Sequence, residues 1–279
     1  MKTIDVAVFV RDRYEHLVFC TSWLKNSKEC PGVVFNRVAY DDSSADSRVG
    51  EFLGGSYDKV ESVPREVTAV DPEQRIGWAR RLAVQNFLKK SIANFLLLLD
   101  SDIIVTKETI AEAVRDYEAL NDWVEVGGGT LYAISHTTGQ IHANGKHFSK
   151  VALTGDAHML FKREHLERIG NHFSTKPKGF ADNQIQAIRD QGKVYFTRIS
   201  PPYQVQHIGF GEGVSLVYKQ EKFKPSWTMR PYWTHESNRR ILQVENFDVL
   251  HYINCINAVG GISAPEEYTK TKGIANEHK

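Results

Sequence analysis

Two aspartates two positions apart, Asp100 and Asp102, stand directly after the apolar run Phe95 to Leu99. In an extended segment that spacing turns both carboxylates to one side, close enough to share a hard divalent cation. Oxygen ligands of this kind favour magnesium or manganese. Turns and helix caps use the same residues about as often; an apolar strand running straight into the pair tips the balance toward metal. A second acidic run, Asp41-Asp42-Ser43-Ser44-Ala45-Asp46, closes the apolar stretch Val33 to Tyr40, and Arg11-Asp12 closes another that ends at Val10. In open α/β sheets ligands sit in the crevice beyond the carboxyl ends of the strands, so chemistry is expected just after Val10, Tyr40 and Leu99.

Those positions need a scaffold of parallel strands, and the pattern supplies one. Ile4 to Val10 reads as a buried strand, and Tyr14 to Lys25 offers Leu17, Val18 and Leu24 at helical spacing. Val33 to Tyr40 is a second strand. Asp71 can cap a helix with Pro72 in its first turn and Gln74 completing a capping box; Ile76, Ala79, Leu82, Ala83 and Phe87 then form one apolar stripe. Phe95 to Leu99, apolar on both faces, is expected to be a central parallel strand. Thr106 can cap a helix whose Ile110, Ala113, Val114, Tyr117 and Leu120 share a face. Alternating strands and helices predict a doubly wound α/β fold.

The second half predicts antiparallel elements. Gly127-Gly128-Gly129 and Asn144-Gly145 punctuate strands, the latter as a hairpin signal. Val151 to Phe161 reads as a strand followed by a helix ending near Gly170. Asp182 to Gln191 reads as a helix closed by Gly192, followed by a strand over Val194 to Ile199 and, after Pro201-Pro202, a short segment around Val205 and His207.

The chain has 279 residues, enough for one large α/β unit with an appended subdomain. At 41% hydrophobic and 25% charged, with no apolar run long enough to cross a bilayer, it reads as a globular protein without a transmembrane segment. The start resembles a first strand rather than a signal peptide, and the expected location is cytoplasmic. Net charge is +1, so no global attraction to nucleic acid or membrane follows. Cys20, Cys30 and Cys255 make neither a CxxC pair nor an even disulfide framework, which fits a reducing compartment.

The order of these motifs resembles a glycosyltransferase of the GT-A fold, closest to the inverting family 2 type, over about residues 4 to 210. The resemblance is carried by Asp41 to Asp46, by Arg75-Ile76-Gly77-Trp78-Ala79-Arg80-Arg81 and by Asp100-Ser101-Asp102. Thr154 to Gly170, Gly179-Phe180-Ala181-Asp182 and His207-Ile208-Gly209 continue it. It implies a Rossmann-like, mixed but mainly parallel sheet flanked by helices, with an antiparallel element on the acceptor side. Residues 1–215 would form the transferase domain, with a nucleotide-sugar half near 1–105 and an acceptor half near 106–215. Residues 216–279 would be a C-terminal extension packed on it.

The same resemblance assigns roles. Asp42, with Asp41, would accept the imide hydrogen of uracil or thymine, which makes a UDP-sugar or dTDP-sugar the donor. An Asx turn is an equally common use of such a run and is compatible with that role. Val10 and Arg11 would border the nucleoside, and Arg75 and Arg81 would lie near the nucleotide or its phosphates, although helix arginines are often merely solvated. Asp100, with Ser101, would serve the ribose or the metal. Asp102 and His207 would hold Mn2+ or Mg2+, which neutralises charge on the departing diphosphate. Asp182 would be the base that takes the acceptor hydroxyl's proton, a place it could share with helix N-capping.

Three stretches depart from the family's pattern. Val10-Arg11-Asp12-Arg13 replaces the usual proline, small residue, aromatic and asparagine. Asp156 and His158 stand where small or apolar residues are usual, and Ala181 replaces an acidic neighbour of Asp182. Between Tyr218 and Arg240, six Lys and Arg face two Glu, interleaved with Trp227, Tyr232 and Trp233. Such a segment suits a glycan or a hydroxymethylated nucleic-acid base as acceptor, or is simply solvated surface. Two other functions share the strand-to-DxD feature: a haloacid-dehalogenase-type phosphatase and a non-catalytic nucleotide-sugar binding protein. Oligomeric state does not follow from the residues.

Overall fold

The structure is a computed structural model. It describes residues 1–12, 14–27, 32–64, 72–105, 109–120, 137–143, 145–151, 158–175, 184, 187, 195–200 and 205–207. The caps assigned to Asp71 and Thr106, the turn at Asn144, Asp182 and most of its helix, and the extension 216–279 lie outside these residues.

In chain order the elements are β1 (Lys2–Val10), α1 (Tyr14–Ser27), β2 (Val33–Asp41), α2 (Ser47–Ser56), β3 (Lys59–Ser62), α3 (Pro72–Lys90), β4 (Phe95–Asp100), β5 (Ile103–Val105) and α4 (Thr109–Ala119). There follow β6 (Thr137–Ala143), β7 (Lys146–Val151), β8 (His158–Lys162), α5 (Arg163–Ile169), β9 (Tyr195–Ser200) and β10 (Val205–His207). The main sheet has the order β3-β2-β1-β4-β8; its first four strands run parallel and β8 is antiparallel to β4. β6, β7 and β9 form an antiparallel sheet, and β5 pairs antiparallel with β10. The mixed, mainly parallel α/β architecture is the expected one.

Alternation along the central strands divides the interior into two cores. Ile4, Val6, Val8, Phe95, Leu97 and Leu99 face α1 and α4, meeting Leu17, Leu24, Ile110, Val114 and Tyr117. Ala7, Leu96 and Leu98 face the opposite side, where α3 gives Ala83, Val84 and Phe87 and α5 gives Leu166 and Ile169. Because both faces of β4 are covered, its sequence carries no polar alternation. α3 departs from the expected stripe: Ile76 is exposed, and the buried face runs through Ala79, Arg80, Ala83, Val84 and Phe87.

Two further elements differ from expectation. The apolar stretch Val151 to Phe161 is not one strand: Val151 ends β7 in the small sheet, whereas His158 opens β8 in the main one. Periodicity marks a segment as strand-like but does not say which sheet its ends join. α2 and β3 occupy a stretch to which the sequence pattern assigns no element. Gly50, Gly54 and Gly55 dilute the helix signal of α2, while Asp46 caps it by accepting from the Arg48 N–H. β3 is a short edge strand bearing Lys59 and Glu61, the charge pattern that blunts an exposed edge.

Candidate functional site

Strand order reverses at β1, whose neighbours are β2 on one side and β4 on the other. The crevice predicted at such a switch point lies beyond Val10, Asp41 and Asp100. These ends are flush: Val10 is in register with Asp41, and Phe9 with Asp100. The Asp42 N–H donates to the Val10 carbonyl at 2.9 Å, and the Ser101 N–H to the Phe9 carbonyl at 3.2 Å. Val10 itself is buried in the core, so what it offers the crevice is backbone.

The loops after β1 and β2 are laced together. Asp12 and Ser43 both adopt positive φ, 52° and 54°, the left-handed region that Asp tolerates through local hydrogen bonds. Asp12 Oδ1 accepts from the Ala45 and Asp46 N–H groups at 2.6 and 3.0 Å, and the Asp12 N–H donates to Ser44 Oγ at 2.8 Å. Asp41 closes the Asx turn: its Oδ1 accepts from the Ser44 N–H and hydroxyl at 3.1 and 2.6 Å. The two adjacent aspartates thus divide the alternatives, since Asp41 makes the turn and Asp42 does not.

Asp42 is 8% exposed and faces two guanidinium groups. Arg11 donates to Oδ2 at 2.9 Å, and Arg75 Nε lies 3.5 Å from the same oxygen. Oδ1 is buried with no hydrogen-bond partner among the described residues. Burial pushes the Asp42 carboxyl above its ordinary pKa, and Arg11 and Arg75 pull against that shift.

At the β4 end, Arg80 is 1% exposed and donates to Asp100 Oδ1 at 3.1 Å. Its guanidinium also lies 5.7 Å from the Phe9 ring centroid. Arg81, by contrast, stands over Trp78 at 5.9 Å. Arg80 was not singled out from the sequence. The available signal was its place on the buried stripe, four residues before Val84 and seven before Phe87.

The Asp100-Ser101-Asp102 stretch is not extended as the spacing argument assumed, because residues 101 and 102 form a turn between β4 and β5. The two carboxylates consequently differ in environment. The Asp100 side chain is 30% exposed, while Asp102 is 3% exposed and close enough to Cys20 for its charge to reinforce the burial-driven rise of the thiol pKa. β10 brings in the late histidine: His207 is in register with Ile103, the residue after Asp102. Asp100, Asp102 and His207 therefore come from adjoining backbone, and carboxylate oxygens with imidazole nitrogen suit Mn2+ or Mg2+ in donor type. Among the described residues no group of three His, Cys, Asp or Glu side chains is arranged to hold a metal.

The segment after α5 runs toward this site along α3. A Cβ on Gly77 would lie 1.7 Å from the Ser174 carbonyl oxygen, so only glycine permits this approach. Asn171 Nδ2 donates to the Arg81 carbonyl at 2.8 Å. Gln184, fully buried, accepts from the His172 N–H at 2.6 Å and donates to the Gly170 carbonyl at 3.1 Å. Asp182, two residues earlier in sequence, lies outside the described residues.

No protein-family model and no curated protein matches the sequence. Among solved structures the chain is similar to S. aureus TarS, with 16% identity and a TM-score of 0.46 over 72% of this chain and 37% of that one. It is also similar to a crystal structure of S. aureus TarS 1–349, with 13% identity and a TM-score of 0.46 over 99% of this chain and 74% of that one.

Proposed function

We propose that the chain is a metal-dependent inverting glycosyltransferase that moves a sugar from a UDP-sugar or dTDP-sugar to an acceptor hydroxyl. The observation that carries this reading is the pairing of two acidic sites across the switch-point crevice. Asp42 follows β2 and Asp100 ends β4, with only β1 between them. Two strand spacings make that separation about 10 Å, the span of a nucleoside laid with its base at one end and its ribose and diphosphate at the other.

In this reading Asp42 accepts an imide N–H, and Arg75 supplies positive charge beside it. Asp100, positioned by Arg80, meets the ribose or the metal. Asp102 and His207, with Asp100, would hold Mn2+ or Mg2+, which when bound neutralises charge on the departing diphosphate. Asp182 takes the proton from the attacking hydroxyl as the acceptor oxygen bonds to the anomeric carbon from the face opposite the nucleoside diphosphate. A glycan or a hydroxymethylated DNA base would serve as acceptor.

The test is a thermal-shift screen of nucleotide sugars with and without Mn2+, since a ligand that binds only the native state raises its stability. A metal-dependent response to a UDP- or dTDP-sugar is the expected result. No response to any nucleotide sugar, together with hydrolysis of a simple phosphate ester, would replace the proposal with a phosphatase. Asp182→Asn should retain donor binding and abolish transfer; retention of transfer would remove Asp182 as the base.

A further inference from the structure

Asp42 has two guanidinium neighbours on one oxygen and, among the described residues, no donor on the other. A buried carboxylate oxygen without a donor is costly to maintain, so this atom is suited to receive an N–H from a ligand. Beside it stands Arg11. Its guanidinium carries five N–H donors, of which one is bonded to Asp42, and 42% of its side chain is exposed. The crevice thus sets one acceptor next to a fork of donors.

The ring edge that complements this arrangement has an N–H flanked by carbonyls, as uracil and thymine do. With its 4-position toward the guanidinium, cytosine fails twice, because it turns a ring lone pair toward the carboxylate and an amino N–H toward the guanidinium. We infer that Arg11 is a specificity-determining residue, donating to the 4-carbonyl beside the N–H that Asp42 Oδ1 accepts, so that the site selects a pyrimidinedione nucleotide over a cytosine nucleotide. This inference rests on the nucleotide-sugar reading above.

The loop geometry supports the assignment. Arg11 and Asp42 belong to different loops, yet Asp12, next to Arg11, ties those loops together through three hydrogen bonds, to Ser44, Ala45 and Asp46. The donor fork and the acceptor are therefore set before any ligand arrives, which reduces the ordering cost of binding. Arg11 could instead meet a phosphate, and that alternative is separable because a nucleoside keeps the base and lacks the phosphates.

The experiment titrates the full chain with uridine, cytidine, UDP and CDP by calorimetry or NMR, alongside Arg11→Ala and Asp42→Asn. Wild type should prefer uridine to cytidine and UDP to CDP. Arg11→Ala should weaken both uridine and UDP by about tenfold, as expected for loss of a charge-assisted hydrogen bond, and leave cytidine and CDP within about twofold. Asp42→Asn, which places an amide at the acceptor position, should likewise collapse the preference for uridine. An unchanged uridine-to-cytidine ratio in Arg11→Ala overturns the inference, as does a loss confined to UDP with uridine unaffected, since Arg11 would then serve the phosphates. If wild type binds none of the four ligands, the nucleotide-sugar reading itself falls and takes the inference with it.

Discussion

Arg80 and Asp100 show how a single buried cation can organise an acidic site. The guanidinium is almost wholly enclosed between α3 and the sheet, while Asp100 is partly open to the crevice. Removing Arg80 leaves Asp100 without that donor and opens a cavity beneath it. Arg80→Ala is expected to lower stability by about 2–4 kcal/mol in chemical denaturation. Asp100→Asn should lose less, about 1 kcal/mol, because an amide oxygen still accepts from the guanidinium and the site is part-exposed. A smaller loss for Arg80→Ala than for Asp100→Asn would contradict this picture of the pair. The acidic side of the site was legible in the sequence, since aspartates after apolar strands are visible as such. Arg80 was not singled out, because an arginine on a mostly apolar stripe is indistinguishable by type from its solvated neighbour Arg81 until packing buries one of them.

Between elements, the contact of α3 with the segment after α5 depends on the missing side chain of Gly77. Gly77→Ala must displace the Ser174 backbone, and the expected cost is about 1–3 kcal/mol, measurable as a shifted denaturation midpoint. The α4–α5 contact carries a different dependence. Tyr117 and His165 Nδ1 lie 2.7 Å apart in the interior, and burial lowers the His165 pKa to about 4 from an ordinary 6.5. Because the folded-state value is the lower one, the unfolded chain takes up this proton first as pH falls. Stability from neutral His165 is therefore complete above about pH 6.5 and is lost as pH falls toward 4, by at most about 3 kcal/mol. His165→Gln should flatten the stability profile across that window, and an unchanged slope would show that other groups dominate it. Helices α3 and α4 were legible from their stripes. α2 was not, since its glycines hide the helix and only the cap at Asp46 announces it.

Across the whole molecule, the strands of the first half depend on residues far along the chain. β8 covers the edge of β4, and Met159, Phe161, Leu166 and Phe173 complete the core on the α3 side. A fragment of residues 1–105 lacks all of these and would expose an apolar strand edge beside an unfilled core. It is expected to aggregate and bind a hydrophobic dye, whereas residues 1–215 should give a cooperative unfolding transition. A soluble, cooperatively folding 1–105 fragment would show that the first half is autonomous. Among the described residues no helix is long and apolar enough to cross a membrane. The sequence by itself determined the alternating α/β architecture and the acidic strand ends, because side-chain period and turn chemistry are local properties. Only the tertiary structure decided that β10 lies beside β5 and that Arg11 and Arg80 each meet an aspartate. Those are pairings between distant segments, fixed by how strands order in the sheet and by which side chains the packing removes from water.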